Sequence, residues 1–122
     1  MVCPLDYSLC RDTLTVYRRS GTAVSRRVFT NGFLQIQDKR MENSHSPELE
    51  RAFLLVLPGE ADIAPGDRVL PGEGPVVDAC SWGDFSPAKV PGLCQIQYVQ
   101  PCYFMGRLCH TEAGRKASTF FY

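Results

Sequence analysis

Apolar and polar residues alternate with a period of two along much of this chain, and that alternation predicts β-strands. Asp12 to Arg19 puts Leu14 and Val16 on one face and Thr13, Thr15 and Tyr17 on the other, a first strand. Ser20-Gly21-Thr22 reads as a turn, and Ala23 to Thr30 continues with Val24, Val28 and Phe29 as anchors, so residues 12–30 form a hairpin. Asn31-Gly32 marks a second tight turn before a third strand, Phe33 to Gln37, with Leu34 and Ile36 on one side. Ala52 to Leu57 is apolar at every position, the pattern of a strand buried on both faces at the centre of the core. A short strand around Val69 lies between the turns at Pro65-Gly66 and Pro71-Gly72. Val76 to Trp82 reads as the next strand and Phe85 to Pro91 as a loop. Leu93 to Val99 reads as a half-exposed strand with Gln95 and Gln97 facing away from Ile96 and Tyr98, and Cys102 to Thr111 closes the sheet. The expected core is Leu14, Val16, Val28, Leu34, Ile36, Phe53, Leu55, Val69, Val77, Ile96 and Tyr98.

No segment sustains a helical period. Asp38 to Glu50 is the most polar stretch and reads as an exposed loop, in which Ser46-Pro47 opens at most one helical turn. Ten glycines and nine prolines cut the rest into short segments rich in β-branched and aromatic residues. The pattern predicts an all-β fold, a small single-domain β-barrel or sandwich of seven to eight short strands with extended termini. Its divisions are an N-terminal extension (1–11), a barrel domain (12–115) and a C-terminal arm (116–122). A chain of 122 residues supports one core only.

Charge narrows the partners. Thirteen Lys and Arg balance thirteen Asp and Glu, so no overall field draws in a polyanion and any such contact is local. The longest apolar run, residues 52–57, is far too short to cross a bilayer, and no membrane partner is expected. The opening MVCPLDYSLC has neither a basic region nor an apolar stretch of the secretory type, so the six cysteines (Cys3, Cys10, Cys80, Cys94, Cys102, Cys109) are expected as free thiols that neither bridge nor bind metal.

Candidate chemistry is sparse. His45 lies in the polar loop and reads as a solvated residue. His110 follows Cys109 and is eight residues from Cys102, but no two cysteines are closer than seven positions, whereas structural zinc sites favour CxxC-like pairs. No nucleophile elbow, phosphate-binding loop or HExxH occurs, and Gly72-Glu73-Gly74 reads as a turn. Asp62, Asp67, Glu73 and Asp84 read as solvated turn residues. No catalytic residue, metal or cofactor is expected. The hairpin gathers Arg18, Arg19, Arg26 and Arg27 into a basic patch, either a contact for nucleic acid or an acidic partner or a charge-protected sheet edge. Phe120-Phe121-Tyr122, three aromatics after a polar stretch, dock either on the chain's own barrel or on a neighbouring subunit as assembly contacts.

The order of DTLTVYR, the polar mid-chain loop, LLVLP, PGDRVLPGEGP and GRLCHTEAGR resembles small structural proteins of tailed phages and prophages, similar to head–tail connector or stopper proteins. The resemblance covers about residues 12–115. It implies a small β-barrel with no catalytic residues. It also implies a homo-oligomeric ring between portal or adaptor and tail proteins in a virion assembled in the host cytoplasm, with the loop 38–50 facing packaged DNA in the channel. Two other classes stand beside it: a β-barrel module binding nucleic acid or protein through Tyr17 with Arg18, Arg26 and Arg27, and a small Cys/His-dependent enzyme using Cys102 or Cys109 with His110.

Overall fold

A computed structural model of the chain describes residues 7–37, 52–87 and 89–116. Among the described residues seven strands are present: β1 (Asp12–Ser20), β2 (Ala23–Gln37), β3 (Ala52–Pro58), β4 (Arg68–Pro71), β5 (Cys94–Gln95), β6 (Tyr98–Phe104) and β7 (Arg107–Arg115). No helix occurs among the described residues, and the all-β expectation holds. The strands form one antiparallel sheet in the order β5-β4-β1-β2-β3-β7-β6.

The sheet curls because its two outermost strands are neighbours in sequence. β5 and β6 are separated only by Ile96 and Gln97, so a single run of chain touches both ends of the sheet. Gly66 N–H donates to Ile96 O and Ile96 N–H to Asp67 O, each at 2.8 Å, on the β4 side. One residue later Gln97 N–H donates to Gly114 O of β7, also at 2.8 Å. The half-exposed strand expected over residues 93–99 is therefore two strands joined by this seam.

β2 is the other strand that links the two sides. Its first part, Ala23 to Gly32, pairs with β1, and Phe33 to Gln37 pairs with β3. The turn expected at Asn31-Gly32 is not there, and the strand runs through. The register with β1 slips by one residue between Asp12↔Gly32 and Leu14↔Phe29, a bulge that re-aims the strand. Gly32 lets the strand bend close over the core: a Cβ there would lie 2.6 Å from Leu14 Cδ2 and 3.0 Å from Leu57 Cδ2, so both leucines would have to shift to admit one.

The main core contains Leu14, Val16, Phe53, Leu55, Leu57, Ile63, Val69, Cys94, Ile96 and Ala113. From the expected list Leu34 and Ile36 are only half-buried at its margin, Tyr98 is half-buried, and Val28 is exposed. Val28 lies on the part of β2 that no third strand covers. The other face of β1 packs a second cluster: Tyr17, Val77, Phe85 and Leu93, flanked by Val24, Leu70, Trp82 and Val90. β1 is thus buried on both faces. Thr15, fully buried, keeps its hydroxyl satisfied by donating to Gly72 O at 2.8 Å and accepting from Gly74 N–H at 2.9 Å.

Residues 76–82, expected as a strand, form an irregular cover followed by successive turns, and Val76 is 83% exposed. Asp78 accepts from Ser81 N–H at 2.9 Å and ties off the first of these turns. Arg68 then anchors the cover from below, donating to Trp82 O at 2.8 Å and to Phe85 O, with its guanidinium 4.0 Å from the centre of the Trp82 ring.

Cys10, Cys80 and Cys102 are free thiols and Cys94 is buried in the core, but Cys109 is disulfide-bonded. This corrects the expectation of six unbridged thiols. The inference from the chain's opening concerned the surrounding redox conditions, and it carries no information on which sulfurs the fold brings together. The loop 38–50 with His45, Cys3, and the aromatics Phe120, Phe121 and Tyr122 lie outside the described residues.

Candidate functional site

The hairpin of β6 and β7 collects most of the chemistry that the sequence scatters. Cys102 and His110 sit directly opposite each other in the β6–β7 register, and Glu112 is two residues along β7, on the same face as His110. One potential ligand atom from each of Cys102, His110 and Glu112 lies within 4.8 Å of the others, and all three side chains are half-buried. Spacing along the chain missed this group because antiparallel pairing, not a CxxC turn, brings it together.

Two tyrosines fix the ends of the group. Tyr7, from the segment preceding β1, places its hydroxyl 2.6 Å from His110 Nδ1 and its ring edge-on to the imidazole, with centroids 5.5 Å apart. Tyr7 thus anchors the segment before β1 to the sheet, while Ser8 and Leu9 after it are exposed. Tyr98 O–H donates to Glu112 Oε1 at 3.3 Å, and Lys116 Nζ lies 5.5 Å from the Tyr98 ring centre. Burial pushes the Cys102 thiol pKa up, and the Glu112 carboxylate pushes it further in the same direction. Burial likewise raises Tyr98, with Glu112 adding to it, and raises Tyr7, with Cys10 and Cys102 adding. A nucleophilic cysteine needs the opposite shift. As arranged, the group holds Cys102 protonated at neutral pH.

At its far end the same hairpin closes in a two-residue turn, Met105-Gly106, between the paired residues Phe104 and Arg107. Both turn residues have positive φ, 51° and 79°, the geometry that favours Asn or Gly at each position. Met105 nevertheless occupies the first and is 87% exposed, with Tyr103 at 65% and Phe104 at 45% beside it. Alternation does not flag this tip, since nothing in the sequence distinguishes an exposed aromatic from a buried one.

The four arginines of the expected basic patch do lie on the β1–β2 hairpin, but carboxylates meet three of them. Arg18 makes a bidentate pair with the buried Asp67, Nε to Oδ1 and Nη2 to Oδ2, both at 2.9 Å, and reaches Asp62 at 3.3 Å. The hydrogen bonds to Asp67 raise the already high pKa of Arg18. Arg27 lies 3.8 Å from Asp62 and 3.9 Å from Asp67. Arg26 lies 3.6 Å from Glu73 and donates to Gly74 O at 2.9 Å. Arg19 donates to Gly21 O at 3.0 Å and has no carboxylate partner among the described residues. Asp67, expected as a solvated turn residue, is instead buried against Arg18, while Asp62 and Glu73 are solvated as expected and serve as outer counter-charges of this face. Tyr17, the aromatic that the alternative of a nucleic-acid-binding barrel would use beside these arginines, is fully buried and donates to Pro75 O at 2.7 Å. No family model, curated protein or solved structure matches the chain.

Proposed function

We propose that the chain is a non-catalytic structural module that assembles with copies of itself through the tip of the β6–β7 hairpin. The observation that supports this reading is Met105. A left-handed backbone costs a non-glycine residue about 1–2 kcal/mol, and a large apolar side chain gains nothing in solvent to offset that. Strain of this kind, beside two exposed aromatics, suits a contact surface. The arginine face, where carboxylates meet three of the four guanidinium groups, and the raised thiol pKa of Cys102 speak for the same class over a nucleic-acid module or a thiol enzyme. The setting that the sequence resemblance suggests is a ring in the neck of a tailed phage, between portal and tail proteins, with Phe120, Phe121 and Tyr122 as additional contacts.

The test is sedimentation of the intact chain beside a Met105→Asn, Tyr103→Ser variant across a concentration series. The intact chain is expected to self-associate into a closed oligomer and the variant to stay monomeric with an unchanged fold. An intact chain that remains monomeric, or a variant that assembles equally well, overturns the proposal.

A further inference from the structure

We propose that Cys102, His110 and Glu112 bind a zinc-class divalent cation, with a fourth position left to water. The donor set of one thiolate, one imidazole and one carboxylate is the mixture that borderline-soft ions select over magnesium or calcium. A tetrahedral ion at usual ligand distances needs its donor atoms roughly 3.3–3.8 Å apart. The three present are already within 4.8 Å of one another, so rotamer adjustments of about an ångström seat the ion without moving the backbone. The backbone holds them there through a direct cross-strand pair and its diagonal neighbour, positions that antiparallel geometry keeps fixed.

The surroundings supply what usually supports such ligands. A ligating histidine is ordinarily oriented by a hydrogen bond at its other ring nitrogen, and Tyr7 provides one at Nδ1, 2.6 Å away. The tautomer with hydrogen on Nδ1 then donates to the phenol oxygen and leaves the Nε2 lone pair for the ion. A ligating carboxylate is ordinarily hydrogen-bonded too, and Tyr98 donates to Glu112. The cation would displace the thiol proton of Cys102, so binding releases a proton and strengthens as pH rises. Because Tyr7 belongs to the segment before β1, occupancy ties that segment more firmly to the β6–β7 hairpin.

The test is titration of the chelator-treated full chain with cobalt(II), followed by displacement with zinc. The expected result is one cobalt per chain, a thiolate-to-cobalt charge-transfer band with tetrahedral d–d bands, and their loss on adding zinc. Cys102→Ser is expected to remove the charge-transfer band, and His110→Gln and Glu112→Gln to weaken binding at least tenfold. Tyr7→Phe is expected to weaken it about tenfold without abolishing it, the size of an outer-shell loss. Cys80→Ser, which alters an exposed free thiol away from the group, is expected to bind as the parent does. Zinc should also protect Cys102, but not Cys80, from alkylation in the unmodified chain, a readout that needs no variant to fold. Absence of the charge-transfer band in the parent, its survival in Cys102→Ser, or equal alkylation of both thiols with and without zinc overturns the proposal.

Discussion

Replacing Asp67 with Asn isolates the electrostatic contribution to closing the sheet, because the side-chain volume is kept while the charge is removed. Asp67 is 3% exposed and accepts three hydrogen bonds, two from Arg18 and one from Ala64 N–H, all at 2.9 Å. Its main chain lies at the seam, where its carbonyl accepts from Ile96 N–H. Two charge-assisted bonds are worth about 1.5–3 kcal/mol each, so their loss alone would approach 3–6 kcal/mol. The amide oxygen of Asn retains one acceptor, and the Arg18 side chain, 30% exposed and 3.3 Å from Asp62, recovers part of the remainder from water and that second carboxylate. The expected cost is about 2–3 kcal/mol. Asp62→Ala, by contrast, removes a residue that is 80% exposed and should cost about 0.5 kcal/mol or less. Urea unfolding read by tryptophan fluorescence measures both, since the only tryptophan, Trp82, packs against the cover over β1. If Asp67→Asn costs no more than Asp62→Ala, at an unchanged denaturant slope, then the buried pair does not hold the seam.

Leu55→Ala, in the fully buried middle of β3, should cost about 2–5 kcal/mol by the same measurement, and a loss below 1 kcal/mol would show that the core is not centred there. Stability should also fall in alkali. Cys10, Cys102, Tyr7 and Tyr98 all have raised values in the folded chain, so their protonated forms are favoured on folding. That contribution is complete below the ordinary thiol value of about 8.5 and is lost as pH rises through the folded values. A denaturation midpoint that stays constant from neutral pH to about pH 11 would contradict this sign.

Hydrophobic patterning made strands legible, by alternation for β1 and by a continuous apolar run for β3, and along β3 and β4 the buried positions do alternate. It failed where burial had another source. Thr15 and Tyr17 occupy the face of β1 that alternation assigns to solvent, yet the irregular segment 72–93 covers them, and no local pattern shows that a loop will fold back. Asn31-Gly32 carried a real signal with the wrong meaning: the glycine marks a bend over Leu14 and Leu57, where a turn dipeptide and a bulge look alike in sequence. The arginines of the β1–β2 hairpin were visible, but their counter-ions come from residues 62–73, brought in only by the pairing of β4 with β1. Cys102, His110 and Glu112 were each visible too, and only the β6–β7 register joins them.

The edge of β6 bears on how copies of such a sheet could meet. Among the described residues β6 pairs with β7 alone, which leaves its outer side open to the addition of another strand. Pro101 sits in the middle of that strand and has no N–H to offer, so an incoming strand would lose a ladder bond at its centre. The bulge between Cys102 and Tyr103 breaks the flat run again one residue later. These two devices disfavour open-ended growth by strand addition along β6. Side-chain contact through Tyr103, Phe104 and Met105 has no such obstacle, because the hairpin carries all three beyond the bulge and into solvent. Contacts made by side chains at a tip have a defined geometry and can close into a ring, whereas an unprotected edge would propagate into fibres.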